Sequence, residues 1–148
     1  MYKKILVPLD GSVRAEKILP HVENLAKVNG SEVVFLRVVQ PIIISDGYKG
    51  VLVDESQGES QRQVDTAIEY LSEIEGQFKK IGIKTDKISM VGSIVTTIIE
   101  VSQNENIDLI AMASHGRTGL SRVFYGSVAA GVLNAVDRPL LLIRSQND

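Results

Sequence analysis

Runs of almost uninterrupted apolar residues constrain the fold of this chain more than any other feature of its sequence. The clearest are residues 5–9, 32–39 and 108–113, which are rich in Ile, Val, Leu and Ala. A strand with one exposed face alternates apolar and polar residues, whereas a continuous apolar run is typical of a strand covered by helices on both faces. Two further strands are predicted at residues 84–91 and Leu140–Ile143.

The segments between these strands carry apolar residues at intervals of three and four, which is the period of a helix. Helices are predicted at about residues 12–29, 59–81, 93–103 and 127–136. Pro20 lies inside the first of them and predicts either a kink or a later start. Strands and helices therefore alternate strictly, which predicts an α/β fold: one open parallel five-stranded sheet with helices on both faces.

The composition limits the kind of chain and the kind of chemistry. A length of 148 residues predicts a single domain spanning residues 1–148. The lack of cysteine excludes disulfides, cysteine-ligated zinc and thiol catalysis, and two histidines disfavour a histidine-rich metal site. With a net charge of −2, we expect neither a nucleic-acid nor a membrane partner. No signal-peptide pattern or long apolar segment is found, so the expected location is the cytoplasm.

Ligands of open parallel sheets bind at the carboxyl ends of the strands, near the point where the strand order reverses. Asp10 follows the first predicted strand at such an end, although an Asp before a Gly is also typical of a simple turn. Neither of the common glycine-rich phosphate-binding motifs, Gly-x-x-x-x-Gly-Lys-Ser/Thr and Gly-x-Gly-x-x-Gly, is present. Dinucleotide oxidoreduction and P-loop hydrolysis are therefore disfavoured.

The segment after the fourth predicted strand combines small residues, positive charge and a helix start. It contains Gly116, then Arg117 and Arg122, and a helix is predicted to begin at Gly126-Ser127. The free amides and the dipole of a helix N-terminus attract phosphate, so the amides of Gly116 and Gly126-Ser127 are candidate anion ligands. Alternatively, the glycines only shape a turn and Ser127 only caps the helix, and the residues alone leave both interpretations open.

Two stretches of the chain resemble the universal stress protein family. They are KKILVPLDGS at residues 3–12 and ASHGRTGLSRVFYGSVAAGVLNAVDRPLLLIR at residues 113–144. ATP-binding members of that family carry Gly-x-x-Gly, nine residues, and then Gly-Ser or Gly-Thr. Here Ala113 stands in place of the first Gly, while Gly116 and Gly126-Ser127 match the rest. The resemblance covers essentially the whole chain and implies a Rossmann-like fold of the adenine nucleotide alpha hydrolase type.

The resemblance also implies that ATP, accompanied by Mg²⁺, lies at the carboxyl ends of the strands. Asp10 would supply hydrogen-bond acceptors to the nucleoside, Val38 would meet the adenine through its backbone, and Met112 would lie beside the sugar. The implied nucleotide-binding residues are Pro8, Leu9, Asp10, Val38, Met112, Ala113, Gly116, Arg117, Gly126, Ser127 and Val128. A homodimer joined through Leu140–Ile143 is implied as well, which agrees with an apolar strand at a sheet edge.

Three functions remain open on the sequence. The first is an ATP-binding, cytoplasmic stress-response protein without committed catalytic residues, because no positioned general base is evident. The second is a dimeric interaction protein that binds no nucleotide, which the departures at Ala113 and Leu9 motivate. The third is a slow ATPase or nucleotide-transfer enzyme that uses Asp10 or His115. Residues 41–58 show no period and are predicted to form a long loop.

Overall fold

The computed structural model describes residues 1–41, 52–114 and 126–145, without the side chains of residues 52–57. Its five strands form one sheet in the order β3-β2-β1-β4-β5, and every neighbouring pair is parallel. The predicted open parallel sheet is therefore confirmed. The strands are β1 (Lys4–Pro8), β2 (Glu32–Val39), β3 (Thr85–Val91), β4 (Leu109–Ala113) and β5 (Leu140–Ile143).

Five helices connect these strands in the described part of the chain. They are α1 (Val13–Glu16), α2 (Leu19–Asn29), α3 (Leu52–Lys80), α4 (Ile94–Asn104) and α5 (Ser127–Ala135). Within the ranges that the structure describes, no helix is both long and apolar enough to cross a membrane.

The first predicted helix is two helices, which corrects the prediction of one continuous segment. Ser12 caps α1, because its hydroxyl accepts a hydrogen bond from the Ala15 amide at 3.1 Å. Pro20 lies in the first turn of α2, where its missing N–H would have no partner within the helix in any case. Pro20 therefore marks a new helix start rather than a kink. Gly30 ends α2 in the left-handed conformation, with φ of 66°.

The third helix begins earlier than the apolar pattern indicates. It starts at Leu52, so the prediction of a loop over residues 41–58 is wrong for residues 52–58, and residues 42–51 lie outside the described part. Residues 54–57 are polar and carry no helical apolar period.

Two apolar cores lie on opposite faces of the sheet. On one face, Val33 and Phe35 of β2 pack with Leu71 and Phe78 of α3, and the two phenylalanine rings meet edge to face at 5.0 Å. On the other face, the alternate residues of β1, β2 and β4 pack against α4 and α5. Because both faces are covered, the strands need apolar residues at nearly every position, which explains the continuous runs in the sequence.

The strand order reverses between β1 and β4. The chain runs outward from β1 through β2 to β3, and then returns to β4 and β5 on the other side. The connections after β1 and β4 therefore leave in opposite directions, which opens a crevice at the carboxyl ends of these strands. The edge strand β5 has its four apolar side chains only partly buried.

Candidate functional site

A cavity of about 560 Å³ lies at the carboxyl ends of the strands, at the reversal point. Its walls come from the ends of β1, β2 and β4 and from the first turns of α4 and α5. The predicted site residues that line it are Pro8, Leu9, Asp10, Val38, Met112, Ala113, Gly126, Ser127 and Val128. Gly116 and Arg117, together with His115 and Arg122, lie outside the described residues.

The backbone of Val38 faces the crevice because β2 is longer than β1 at this end. Even-numbered residues of β2 direct their backbone groups towards β1, as the bond from the Leu9 amide to the Leu36 carbonyl shows at 2.8 Å. Val38 is the next such residue, and there β1 has already ended. Its amide has no hydrogen-bond partner among the described residues, and its carbonyl accepts a bond from Arg37 Nη1 at 2.8 Å. Val38 therefore offers a donor and an acceptor side by side.

The first turn of α5 presents three backbone amides at the same cavity. The first bond within the helix runs from the Ala130 amide to the Gly126 carbonyl at 2.9 Å. The amides of Ser127, Val128 and Ala129 precede that bond, and in the described ranges none of them has an acceptor. Free amides at the positive end of a helix dipole form a site for an anion such as phosphate.

The prediction that the Gly126 amide is free to bind an anion is wrong. It donates to the Ser114 carbonyl at 2.9 Å and is therefore already engaged. Ser114, which is 1% exposed, also donates its own amide to the Ile143 carbonyl at 2.7 Å. Sequence reasoning gave Ser114 no structural role. A small polar residue directly after a buried strand was the available signal that it ties β4, β5 and the start of α5 together.

Asp10 takes part in a turn and also lines the cavity, so the two interpretations of this residue are compatible. Its Oδ1 accepts bonds from the Ser12 amide at 2.9 Å and from the Ser12 hydroxyl at 2.6 Å. These bonds hold the loop that leads into α1. Asp10 is also the one acidic residue among the described residues that line the cavity.

Arg37 lines the cavity, and sequence reasoning did not single it out. The available signal was a charge inside the apolar run VVFLRVV. Its surroundings on α1 and α3 are polar, since Glu16 and the buried hydroxyl of Tyr70 lie nearby. Burial raises the pKa of the Tyr70 hydroxyl above its ordinary value, the carboxylates of Glu16 and Asp10 raise it further, and Arg37 acts in the opposite direction.

The described part of the site is equipped to hold a ligand by hydrogen bonds. Across the described ranges, no three acidic or histidine side chains converge to hold a metal ion. The apolar residues Leu36, Ile98 and Met112 form one side of the cavity, and all three are buried. The described residues thus combine an apolar surface, a donor–acceptor pair at Val38 and a helix N-terminus of the kind that attracts anions.

Solved structures of other proteins share this fold. The structure of MJ0577 has a TM-score of 0.87 and 28% identity, and the match covers 100% of this chain and 99% of that one. An Arabidopsis thaliana universal stress protein family protein with AMP bound has a TM-score of 0.67 at 17% identity, covering 99% and 94%. A universal stress protein in complex with cAMP has a TM-score of 0.64 at 17% identity, covering 98% of each chain.

The sequence relationship extends over the full length. Universal stress protein MJ0577 of Methanocaldococcus jannaschii is 30% identical over an alignment 158 positions long, gaps included, which covers 99% of this chain and 98% of that protein. The model of the universal stress protein family matches residues 1–144. On this match and on the fold, the chain belongs to the universal stress protein family.

Proposed function

We propose that this chain binds an adenine nucleotide, ATP, in the cavity at the carboxyl ends of its strands, and that it acts as a nucleotide-dependent stress-response protein of the cytoplasm. The observation that carries the proposal is the set of three amides at the start of α5 that have no acceptor among the described residues, within one cavity with the Val38 donor–acceptor pair. AMP and cAMP in two universal stress protein structures of the same fold support an adenine nucleotide.

The phosphate end of the ligand is assigned to α5. The amides of Ser127, Val128 and Ala129 would each donate to a phosphate oxygen, and the helix dipole adds attraction for negative charge. Gly116 and Arg117 complete this end in the proposal, as the family resemblance implies. Mg²⁺ would arrive with the triphosphate and be held mainly by its oxygens.

The base end of the ligand is assigned to Val38. Adenine carries an acceptor at N1 and a donor at its 6-amino group, which matches an amide donor beside a carbonyl acceptor. Leu36, Ile98 and Met112 would cover the ring with apolar surface. Asp10, which lines the cavity at the end of β1, would accept hydrogen bonds from the nucleoside.

Replacing Ser127 with proline tests the assignment of the phosphates. Proline at the first helical position removes one amide donor while its fixed φ suits the helix, and the preceding Gly126 has the extended ψ of 158° that a following proline requires. We expect ATP affinity, measured by calorimetry, to fall by roughly 10- to 100-fold, which corresponds to one charge-assisted hydrogen bond.

The matched control is Ser127→Ala, which removes the hydroxyl and keeps the amide. We expect it to lose no more than about threefold in affinity, since an exposed hydroxyl contributes little. Equal losses in the two variants would show that the side chain matters and would contradict the amide assignment. Unchanged affinity in the proline variant would remove α5 from the binding site.

The edge strand β5 supports a homodimer as part of the same proposal. Its residues, Leu140–Ile143, are apolar and only partly buried, and such an edge invites pairing with a second copy. Leu133 of α5 adds further exposed apolar surface, at 46%. Light scattering should give the mass of two chains, and a monomeric mass at micromolar concentration would refute the dimer.

A further inference from the structure

The Val38 carbonyl, the acceptor at the base end of the cavity, is already engaged by a cation. Arg37 Nη1 donates to it at 2.8 Å, and the Arg37 side chain, which is half-buried, lines the cavity beside it. Odd-numbered side chains of β2, such as Val33 and Phe35, lie on the face covered by α3. The Arg37 side chain therefore leaves β2 on the α3 face and returns to the end of the strand.

We propose that Arg37 is a specificity-determining residue that reduces the preference of this site for adenine over 6-oxopurine nucleotides. The inference rests on the proposed function, because it concerns the same cavity and the same reading of the base by Val38. It names a broader substrate class: purine nucleoside phosphates that carry either an amino group or an oxo group at position 6.

The chemistry of the purine edge gives the reason. A 6-amino group is a donor and needs the Val38 carbonyl, where it meets a guanidinium donor that already uses one lone pair. A 6-oxo group is an acceptor and can take a charge-assisted hydrogen bond from the same guanidinium. This bond offsets the repulsion between the Val38 amide and the proton that a 6-oxopurine carries on N1. Arg37 thus weakens the binding of adenine and supplies a hydrogen-bond donor to the 6-oxo group of hypoxanthine or guanine.

The bond to the Val38 carbonyl holds the guanidinium at this place. Charges of both signs surround the buried Tyr70 hydroxyl beside it, since Glu16, Asp10 and Arg37 all interact with that hydroxyl electrostatically. Moving Arg37 away to free the Val38 carbonyl for an amino group would therefore cost binding energy.

The test compares AMP with IMP, which differ only at position 6 and in the proton on N1, by calorimetry on the full chain. For the unaltered chain we expect the two affinities to agree within about threefold. For Arg37→Leu we expect a preference for AMP of at least about tenfold, because a released carbonyl then accepts the amino group and rejects the oxo group. Arg37→Gln keeps a neutral donor, so its ratio of AMP to IMP affinity should lie between those of the unaltered chain and the leucine variant. If the leucine variant fails to fold, the glutamine variant provides the test.

The matched control is Lys84→Leu, which removes one positive charge from an 80% exposed side chain at the amino end of β3. Its AMP to IMP ratio should equal that of the unaltered chain. Binding of both nucleotides with the same ratio in the Arg37 variants and the unaltered chain would overturn the role of Arg37 alone. Failure of the unaltered chain to bind either nucleotide would overturn the proposed function and this inference together.

Discussion

The two ends of the sheet differ in whether their backbone polar groups have hydrogen-bond partners within the chain. At the amino end, Asp108 Oδ2 accepts bonds from the Lys3 and Lys4 amides at 2.8 and 2.9 Å, and Arg138 Nη1 donates to the Ile107 carbonyl at 3.0 Å. At the carboxyl end, the Val38 amide and the first amides of α5 have no partner among the described residues. The chain itself occupies the polar groups at the amino end, whereas the described residues leave several polar groups at the carboxyl end without a partner.

The difference follows from strand length and from the reversal of strand order. At the carboxyl end β2 continues to Val39, whereas β1 ends at Pro8, so the last residues of β2 are paired with β3 but have no neighbouring strand on the β1 side. At the amino end the Glu32 amide still bonds to the Lys3 carbonyl and the Asp108 amide to the Lys4 carbonyl, both at 2.9 Å. Changes at the amino end should therefore affect stability, and changes at the carboxyl end should affect binding.

Asp108→Ala should produce the largest effect on stability. It removes the acceptor of two backbone amides, and hydrogen bonds to a charged group are each worth about 1.5–3 kcal/mol, less where solvent reaches them. We expect the free energy of unfolding in urea to fall by about 2–3 kcal/mol while ATP affinity per folded chain stays unchanged. Glu23→Ala, which removes an exposed ion pair with Lys27, is the control and should leave stability almost unchanged.

A loss of ATP affinity in the folded Asp108→Ala chain would break the comparison, because it would show that the amino end contributes to the site. An unchanged unfolding free energy would show that water replaces Asp108 at no cost, so that the amino end is not closed by this residue.

Glu75→Gln should produce an intermediate loss that depends on pH. Glu75, 5% exposed, accepts a bond from Lys87 of β3 at 2.8 Å and pairs with Lys79 at 3.2 Å, so it joins α3 to the edge strand away from the cavity. Burial raises the pKa of the Glu75 carboxyl. The hydrogen bonds from Lys87 and Lys79 outweigh burial, so this pKa lies below its ordinary value. We expect a loss of about 1–2 kcal/mol at pH 7, because both lysines are partly exposed.

The sign of the pH dependence follows from the lowered pKa. The stabilisation is fully present above the pKa of an unfolded Glu, about 4.3, and is lost as the pH falls through the lower pKa of the folded state. Urea titrations at several pH values should show the deficit of the Gln variant narrowing below about pH 4. A deficit that stays constant down to that range would contradict the charged role of Glu75. Glu73→Gln, on the exposed side of α3, is the control.

Asp10→Ala should produce the smallest free-energy change and should reverse the pattern of Asp108→Ala. We expect ATP affinity to fall roughly fivefold to tenfold, about 1 kcal/mol, because the cavity loses an acceptor for the nucleoside. Stability should fall by less than this amount, since the bonds from Ser12 lie in a short surface turn. A large loss of stability with unchanged affinity would assign Asp10 to the turn alone.

The sequence predicted the sheet well and the site in part. Continuous apolar runs identify strands covered on both faces, and the order of elements places Asp10, Val38 and Ser127 at one edge. The start of α3 could not be predicted, because residues 54–57 carry no apolar period. Two hydrogen bonds also could not be predicted, because both depend on where the strands end in space. They are the bond from the Gly126 amide to the Ser114 carbonyl and the bond from Arg37 to the Val38 carbonyl.

Titration of the unaltered chain with ATP, followed by adenosine under the same conditions, tests the central claim most directly. The phosphates should account for much of the affinity, because adenosine carries no phosphate to which the α5 amides could donate hydrogen bonds. We predict one ATP bound per chain, with adenosine binding at least about tenfold more weakly. Equal affinities for the two ligands, or no heat with ATP at near-millimolar concentration, would contradict the account.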